Sequence, residues 1–369
     1  MRTLRIFPLL TMALFATGCA NLGYYGQAVT GQLDILARTR AISELLDESP
    51  VAGADFQPVL PPLAPDVKTR LATVLRVRDF ATQALALPDN DSYRVYAILD
   101  RSHVAWNVVA TPEFSLTPKE WCFLVVGCVP YRGYFSHKRA RKFAGTLRGE
   151  GLDVRVAGVA AYSTLGWFRD PIFSTQLRRS DADIAALIFH ELAHQQLYLP
   201  GDATFNESFA TAVEIEGMRR WLAQGGDTAV LDKYLRDRTR QTEFVELLLQ
   251  FRARLETLYA APLPEAAMRA EKARYFESLR TEYANLRARW GGYDVFDGWF
   301  TQEINNAHLA SVGLYHLYVP AFQALLASVH GDLPAFYRLA RDLSRLPPTE
   351  RTARLVAFNG TQARHMPAD

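Results

Sequence analysis

The chain has 369 residues, of which 49% are hydrophobic and 12% aromatic, so it has enough apolar side chains for a large folded core and is not a disordered protein. Its 41 Lys and Arg residues nearly balance 39 Asp and Glu residues, for a net charge of +2. So small a net charge produces no overall electrostatic field that would attract nucleic acid. Binding of nucleic acid by that means is therefore excluded.

The N-terminus has the pattern of a secretion signal. Two Arg residues precede an apolar stretch at residues 6–15, which is too short to span a bilayer. The stretch ends in Ala16-Thr17-Gly18-Cys19, which resembles a bacterial lipobox with Ala in place of the usual Leu. We expect cleavage before Cys19 and lipidation of that residue, which would anchor the protein to a membrane. An ordinary cleaved signal peptide and an uncleaved anchor are the alternatives.

The residue after the lipidated cysteine indicates the destination. It is Ala20 rather than Asp, and the resemblance to lipoproteins of Gram-negative bacteria then implies the periplasmic face of the outer membrane. Removal of residues 1–18 would take away two Arg and no acidic residue, so that 39 basic residues would face 39 acidic ones. The mature chain is then formally neutral.

The following segments change in pattern from helical to mixed and back to helical. We expect a helix over 24–49, a proline-rich loop over 50–65 and a helix over 66–87. Four runs that are typical of strands then predict one small sheet: 93–99, 104–109, 123–129 and 154–162. From residue 181 onward the pattern is almost entirely helical. We therefore divide the chain into a signal (1–18), a tether with a helix (19–65), a mixed α/β region with the sheet (66–179) and a helical region (180–369).

The three cysteines have separate expected roles. If Cys19 carries the lipid, Cys122 and Cys128 are the remaining pair. The periplasm is oxidising, which favours a disulfide between them, and so short a loop gives only modest stabilisation. Two buried free thiols are the alternative.

The most informative stretch is the H-E-x-x-H motif His190-Glu191-Leu192-Ala193-His194. On a helix, His190 and His194 lie one turn apart on one face, so both imidazoles can reach one metal ion. Glu191 lies beside that face, where it can act as a general base toward a water molecule. One Zn²⁺ per chain suits this set, because zinc accepts imidazole and carboxylate ligands and keeps one position open for water.

The context of the motif supports a helix. Ser180 and Asp181 are suited to cap its start, and Asp183 would lie in its first turn. Apolar residues then recur at helical spacing, and Pro200-Gly201 ends the run. The alternative is a helix with two unrelated histidines and an exposed glutamate.

Two histidines leave the site one protein ligand short, and Glu207 is the best candidate for the third. It opens a second helical run, and a hairpin of two helices would bring it back to the histidines. Glu214, two turns further on the same face, is either a rival ligand or an acceptor for a histidine N–H, and Thr211 is suited to the second of these roles. For Glu216 we prefer a solvated position.

Several segments together carry a family resemblance. Asn206-Glu207-Ser208-Phe209-Ala210 resembles the segment that supplies the glutamate ligand in gluzincin metallopeptidases. With the H-E-x-x-H motif, three further segments resemble a bacterial family of predicted zinc aminopeptidases, many of them lipoproteins: Gly127-Cys128-Val129-Pro130-Tyr131-Arg132-Gly133-Tyr134-Phe135, Ala161-Tyr162-Ser163-Thr164-Leu165-Gly166-Trp167-Phe168 and Asn305-Asn306-Ala307. The resemblance covers about residues 24–358. It implies peptide substrates, and the name of the family implies aminopeptidase activity.

The expected fold class is α+β and mostly helical, a zincin-like metallopeptidase with a small β-sheet before the H-E-x-x-H helix. In zincins an edge strand beside the metal helix pairs with the substrate backbone, because an extended peptide can add to an open edge. The run 153–162 is placed as such a strand would be. A buried structural strand is an equally good interpretation.

The residue that stabilises the oxyanion of peptide hydrolysis is harder to select. A helix predicted over 302–318 offers Tyr315 as the first choice and His308 as the second, seven residues apart on one face. The alternative for each is a hydrogen bond within the core.

Two functions fit the sequence. The first is a zinc metallopeptidase, and the second is a non-catalytic lipoprotein scaffold that keeps a gluzincin fold. The intact Glu191 favours the first, because a scaffold has no use for a general base. An aminopeptidase also needs an acidic group for the substrate amine, and the sequence leaves four candidates open: Glu113, Glu120, Asp170 and Glu303.

Overall fold

The structure, a computed structural model, describes residues 24–47, 63–123, 127–159, 164–225, 228–312 and 317–362. These residues are mostly helical with small sheets, which confirms the α+β class. No helix in this part of the chain is both long enough and apolar enough to cross a membrane.

The first expected helix is interrupted. Helix α1 covers residues 24–37, and strand β1 (Thr39–Ala41) and helix α2 (Ile42–Leu46) follow it. The prediction of one helix over 24–49 was therefore wrong. The reason is tertiary: β1 pairs with strand β2 (Val95–Ala97), far along the chain, and this pairing overrides the local helical preference. The second expected helix is confirmed as α3 (Pro65–Leu85), with proline in its first turn.

The strands form three small sheets rather than one. Besides β1 and β2 they are β3 (Ala105–Thr111), β4 (Trp121–Phe123), β5 (Gly127–Val129), β6 (Arg132–Tyr134), β7 (Asp153–Val159) and β8 (Ile172–Phe173). Their orders are β1-β2-β8, β6-β3-β7 and β4-β5. Strand β7 lies at an edge, in the position expected for the run 153–162, although 160–163 lie outside the described residues.

The run 123–129 does not form one strand. Strands β4 and β5 pair antiparallel with each other, with Cys122 directly opposite Cys128. Facing positions on paired strands bring side chains close together, and the two sulfur atoms lie 2.01 Å apart as a disulfide.

The remaining described elements are helices. They are α4 (His137–Gly149), α5 (Asp181–Gln196), α6 (Ala203–Gly225), α7 (Thr228–Tyr259), α8 (Glu265–Arg289), α9 (Asp297–Phe300), α10 (Asn306–Ser311), α11 (Val319–Ser328), α12 (Leu333–Ser344) and α13 (Pro348–Gln362). The largest hydrophobic core joins α5 and α6 to α3, α11 and α12, with Phe189 and Phe209 fully buried in it. A second core lies between α7 and α8.

The helix predicted over 302–318 is also wrong. Helix α10 begins at Asn306, where the side chain of Asn305 accepts a hydrogen bond from the Ala307 backbone N–H, and it ends at Ser311. Helix α11 begins separately at Val319 and carries Pro320 in its first turn. The Asn305 cap thus starts α10 later than predicted, and Pro320 lies in the first turn of a separate helix.

Candidate metal centre

The H-E-x-x-H motif lies on helix α5, as predicted. Ser180 and Asp183 form a reciprocal capping box at its start, which satisfies backbone N–H groups that have no partner within the helix. Ile184, Ile188 and Leu192 are fully buried on its apolar face. The burial of that face fixes the rotation of the helix and therefore the direction of the histidines.

The turn after α5 returns the chain to the motif. The Asn206 side chain holds both polar groups of the Leu199 backbone: its Oδ1 accepts from the N–H at 2.7 Å and its Nδ2 donates to the carbonyl at 2.8 Å. Gly201 adopts a φ of +82°, which a residue with a side chain rarely adopts. Helix α6 then begins at Ala203 and presents Glu207 toward α5. Asn206 therefore closes the short turn that the sequence requires.

His190, His194 and Glu207 bring their ligand atoms within 4.8 Å of one another. The two histidine Nε2 atoms lie 3.2 Å apart. Glu207 Oε2 is 3.3 Å from His190 Nε2, and Glu207 Oε1 is 3.6 Å from His194 Nε2. Ligand atoms in a tetrahedral zinc site with bonds of about 2.0–2.1 Å lie roughly 3.3 Å apart. The residues present therefore fit a zinc ion in both chemistry and spacing.

The pKa values of the two histidines are shifted in opposite directions. Burial opposes a charge on His190, yet its hydrogen bonds to Glu207 and Glu214 raise its pKa to about 10. Burial and the charge of His190 lower the pKa of His194 to about 4. The carboxylates around His190 thus favour a positive charge beside the point where the Nε2 atoms converge, and both imidazoles would have to be neutral to bind zinc there.

His190, His194 and Glu207 form the ligand group. Glu214 lies outside it, on the side of His190 away from the metal position. Its Oε2 accepts a hydrogen bond from His190 Nδ1 at 3.1 Å, and its Oε1 accepts one from the Tyr234 hydroxyl at 2.8 Å. Arg238 lies 3.5 Å from the same Oε1. Burial would raise the pKa of Glu214, but Arg238, His190 and Tyr234 together lower it. An ionised Glu214 therefore fixes the tautomer of His190 with Nε2 toward the metal position.

The second histidine is held differently. Among the described residues, His194 Nδ1 and Thr211 Oγ1 are both buried without a hydrogen-bond partner. The expected bond from Thr211 to a histidine is thus not formed in this structure.

Glu191 lies on the side of the ligand group that faces the cavity. It lines the same cavity as His190, His194 and Glu207. Burial raises the pKa of its carboxyl to about 7, with Glu207 and Asp170 adding to the shift and His190 opposing it. A general base works best with a pKa near the working pH, so this position suits the role.

Asp170, one of the four candidates for binding a substrate amine, forms hydrogen bonds within the protein. It is buried and accepts hydrogen bonds from the backbone N–H and hydroxyl of Thr164 and from Gln195 Nε2, the last at 3.3 Å. It therefore ties the segment that follows Thr164 to the end of the metal helix. Glu113, another candidate, pairs with Arg269.

The cavity that contains the ligand group has a volume of about 790 Å³. Helices α5 and α6 form one side, and α1, the β4–β5 hairpin and the segment 131–135 form the other. Val159, the last residue of β7, and Leu165 also contact it. The edge strand expected beside the metal helix thus reaches the cavity with its end.

Tyr131 lines this cavity and was not selected from the sequence. Tyr131 is 40% exposed, and partial burial together with the charges of Tyr198 and Glu207 raises the pKa of its hydroxyl. In the sequence, Tyr131 belongs to the segment 127–135, which indicates only a family resemblance. It lies 59 residues before His190, so no helical or strand spacing connects it to the motif.

Of the two residues selected for the oxyanion, only His308 lies among the described residues, and it lies away from the site. His308 is buried in α10, where it contacts Asn305 and the ring of Trp299 and lies outside the cavity lining. We selected His308 on the assumption of a continuous helix over 302–318. Helix α10 instead begins at its own cap, and His308 packs against Trp299 outside the cavity. Tyr315 lies outside the described residues.

A family model described as "Putative aminopeptidase" matches residues 23–355 of the chain. No curated protein and no solved structure matches it.

Proposed function

The chain belongs to the family described as "Putative aminopeptidase", and we propose that it is a zinc-dependent metallopeptidase with aminopeptidase activity. The family description suggests a peptidase that acts on peptides. The observation that carries the proposal is the convergence of His190, His194 and Glu207 on one point, with Glu191 facing the same cavity.

The residues that would hold zinc are His190, His194 and Glu207, with Glu214 orienting His190. Bound there, zinc would supply a Lewis acid for a water molecule and for the carbonyl of the substrate. The donor set of two imidazoles and one carboxylate is typical of hydrolytic zinc sites that keep one position open. We infer one zinc ion per chain.

Glu191 is the general base in this proposal. It accepts the proton of the attacking water and later returns it to the leaving amine. The burial that raises its pKa to about 7 lets one carboxyl group serve in both directions.

Tyr131 is the described residue that we propose as hydrogen-bond donor to the oxyanion. Tyr131 lines the cavity, and its phenol stays protonated because partial burial and the charge of Glu207 both raise its pKa. A neutral donor aimed at a developing negative charge is the usual form of such stabilisation. Tyr315 stays a prediction. It is tested by comparing Tyr131→Phe with Tyr315→Phe, and the donor is the residue whose substitution lowers kcat with little change in KM.

The metal assignment is tested by elemental analysis of the purified protein. Glu207→Ala should lose most of its zinc, because only two protein ligands remain. Glu216→Ala is the matched control on the same helix. Glu216 pairs with Arg220 at 2.7 Å and not with the ligand group, so this variant should keep its full zinc content. If Glu207→Ala keeps its metal while Glu214→Ala loses it, the ligand assignment is wrong.

We also propose that the protein is a lipoprotein held through Cys19 on the periplasmic side of the outer membrane. The support is the sequence around Cys19, which lies outside the described residues. Cys19→Ala should leave the membrane fraction or remain uncleaved. Fractionation followed by mass spectrometry of the N-terminus checks this, and an unmodified Cys19 in the membrane fraction would count against it.

A further inference from the structure

The wall that faces the metal helices across the cavity contains four aromatic residues. Tyr24 from α1, Phe123 from the β4–β5 hairpin, and Tyr131 and Phe135 from the segment after it all line the cavity. Tyr24 stacks on Phe123 with ring centroids 5.1 Å apart. We call these four residues the aromatic wall. One side of helix α1 is thus part of the cavity.

Helix α1 is fastened to the aromatic wall. Gln27 is buried, its Nε2 donates to the Gly133 carbonyl at 3.3 Å, and its Oε1 accepts from the Phe135 N–H at 3.2 Å. At Gly31 any side chain would collide with the Phe135 ring, 2.2 Å from the position of a Cβ. The orientation of α1 about its own axis is therefore fixed by these contacts.

The opposite side of α1 is apolar and exposed. Val29, Leu33 and Leu36 are spaced by four and three residues, so they share one face of the helix, and this face points away from Gln27 and Gly31. Val29 and Leu33 are each 58% exposed. A single exposed apolar residue is ordinary, but a row of them on a helix whose other side is already packed indicates a second contact surface.

Two exposed aromatic side chains continue this surface. Trp167 is 85% exposed and Phe168 is 50% exposed. Both line a surface recess together with Leu36, near the end of α1. The resulting surface, which we call the α1 patch, consists of Val29, Leu33, Leu36, Trp167 and Phe168.

The loop that carries the two aromatic residues is held by hydrogen bonds. The hydroxyl of Thr164 donates to Asp170 at 2.7 Å, and the Phe168 N–H donates to that hydroxyl oxygen at 3.0 Å. Asp170 also accepts from Gln195 on the metal helix α5. The exposed position of Trp167 is therefore set by a loop that is tied to the same helix as the metal ligands.

The charged residues beside the patch on α1 pair with one another. Asp34 lies 2.8 Å from Arg38 and 3.5 Å from Arg101, and Arg38 lies 3.3 Å from Asp100. These two acids and two bases contribute no net charge. The surroundings of the patch on α1 can thus approach a lipid surface without bringing an uncompensated charge from this group to it.

The position of the expected lipid anchor indicates what covers the patch. Cys19 lies five residues before Tyr24, where α1 begins, and five residues span at most about 18 Å even when fully extended. A lipidated Cys19 would therefore hold the start of α1 close to the bilayer. A helix with an exposed apolar face lies in the plane of such an interface, and Trp is enriched at the level of the headgroups.

We propose that the α1 patch lies on the surface of the membrane, with Val29, Leu33 and Trp167 in contact with lipid. This inference rests on the lipid anchor of the proposed function for the distance from the membrane. Because the opposite side of α1 belongs to the aromatic wall, the metal cavity would lie about one helix diameter, roughly 10 Å, from the lipid surface. The peptidase then acts at a fixed short distance from the membrane and not at the end of a flexible tether.

The test measures lipid contact at single positions. The full chain with its natural N-terminus is reconstituted with phosphatidylcholine vesicles, and one cysteine at a time is introduced and labelled with an environment-sensitive fluorophore: Val29→Cys, Leu33→Cys or Trp167→Cys. Cys122 and Cys128 form a disulfide and do not react. Wild-type protein carried through the same labelling reports any reaction at Cys19.

Val356→Cys is the matched control. Val356 lies on α13, is 55% exposed and is not part of the α1 patch. We expect emission shifted to shorter wavelength at the three patch positions, and quenching by lipid-borne quenchers at least about fivefold stronger than at the control position. Zinc content and thermal unfolding of each labelled protein show that it is folded.

The outcomes separate this inference from the proposed anchor. Labels that remain in water at the three patch positions, in protein that sediments with the vesicles, would overturn the inference and keep the anchor. Mass spectrometry that finds Cys19 unmodified would reject the anchor, and the labels would still decide the inference: contact with lipid supports it, and contact with water alone overturns it. Equal quenching at Val356 would also overturn it, because the contact would then not be specific to the patch.

Discussion

The two walls of the cavity are built on different principles. The wall of α5 and α6 places its polar groups through buried hydrogen bonds: His190 to Glu214, and Gln195 to Asp170. The aromatic wall is assembled from ring contacts and from one buried amide, Gln27. The comparison teaches that the candidate metal ligands and the proposed general base lie on two neighbouring helices, whereas the opposite wall, which includes the proposed oxyanion donor Tyr131, is gathered from distant segments. Changes in the first wall should alter kcat or metal content, whereas changes in the second wall, apart from the proposed oxyanion donor Tyr131, should alter substrate binding.

The largest effect is expected from Glu191→Gln. General acid–base help is worth roughly 10²- to 10⁴-fold in rate, so kcat should fall by that factor. Zinc occupancy should stay nearly unchanged, because Glu191 is not in the ligand group and Gln keeps the size of the side chain. Steady-state kinetics and elemental analysis of the same preparation check both statements.

This substitution also separates the two function classes. A scaffold would show no hydrolysis in the wild type and would keep any biological phenotype in Glu191→Gln. A zinc-loaded variant with the wild-type rate would refute the general-base role.

A smaller effect is expected from Glu214→Gln. The loss of a charged acceptor behind a metal-bound histidine costs about 10- to 100-fold in metal affinity. Competition with a zinc chelator measures this directly. Glu216→Gln, on the same helix but paired with Arg220, is the control and should leave the zinc affinity unchanged. Equal affinities for Glu214→Gln and the wild type would mean that the hydrogen bond to His190 does not support the metal.

The hairpin gives the first test of the aromatic wall. Cys122 and Cys128 are separated by six positions, and closing such a short loop contributes at most about 2 kcal/mol. A Cys122→Ser/Cys128→Ser protein should therefore unfold at slightly lower temperature and bind zinc normally. Its KM for peptides should rise, because Phe123 lies beside the bridge. Loss of zinc in this double variant would show that the two walls are not independent.

The smallest effect is expected from Gln27→Ala. Removing the amide leaves the Gly133 carbonyl and the Phe135 N–H without this partner, at a cost of about 1–2 kcal/mol. Denaturant unfolding measures it. Thr30→Ala on the same helix removes an exposed hydrogen bond to the Gly26 carbonyl and should cost much less. Equal costs for the two substitutions would show that Gln27 does not anchor α1.

The sequence by itself located the candidate metal centre because helix geometry is local. A spacing of four residues places His190 and His194 on one face wherever the helix lies, and the capping residues mark where it starts. A second helix after a short turn was enough to nominate Glu207. The facing positions of Cys122 and Cys128 likewise follow from a short hairpin once two strands form, although the sequence indicated only one.

The tertiary structure decided everything that depends on segments far apart in the chain. Because residues 39–41 pair with β2, they form strand β1 and not part of the first helix. Helix α10 begins at its own cap, and His308 is buried there, away from the cavity. Glu214 became the support of His190, a choice that spacing had left open. Tyr131 lines the cavity although it lies 59 residues before His190 in the chain. The hydrophobic period of a helix or strand indicates which of its faces is buried. The packing of the whole core decides which elements contact each other, and no local sequence pattern contains that information.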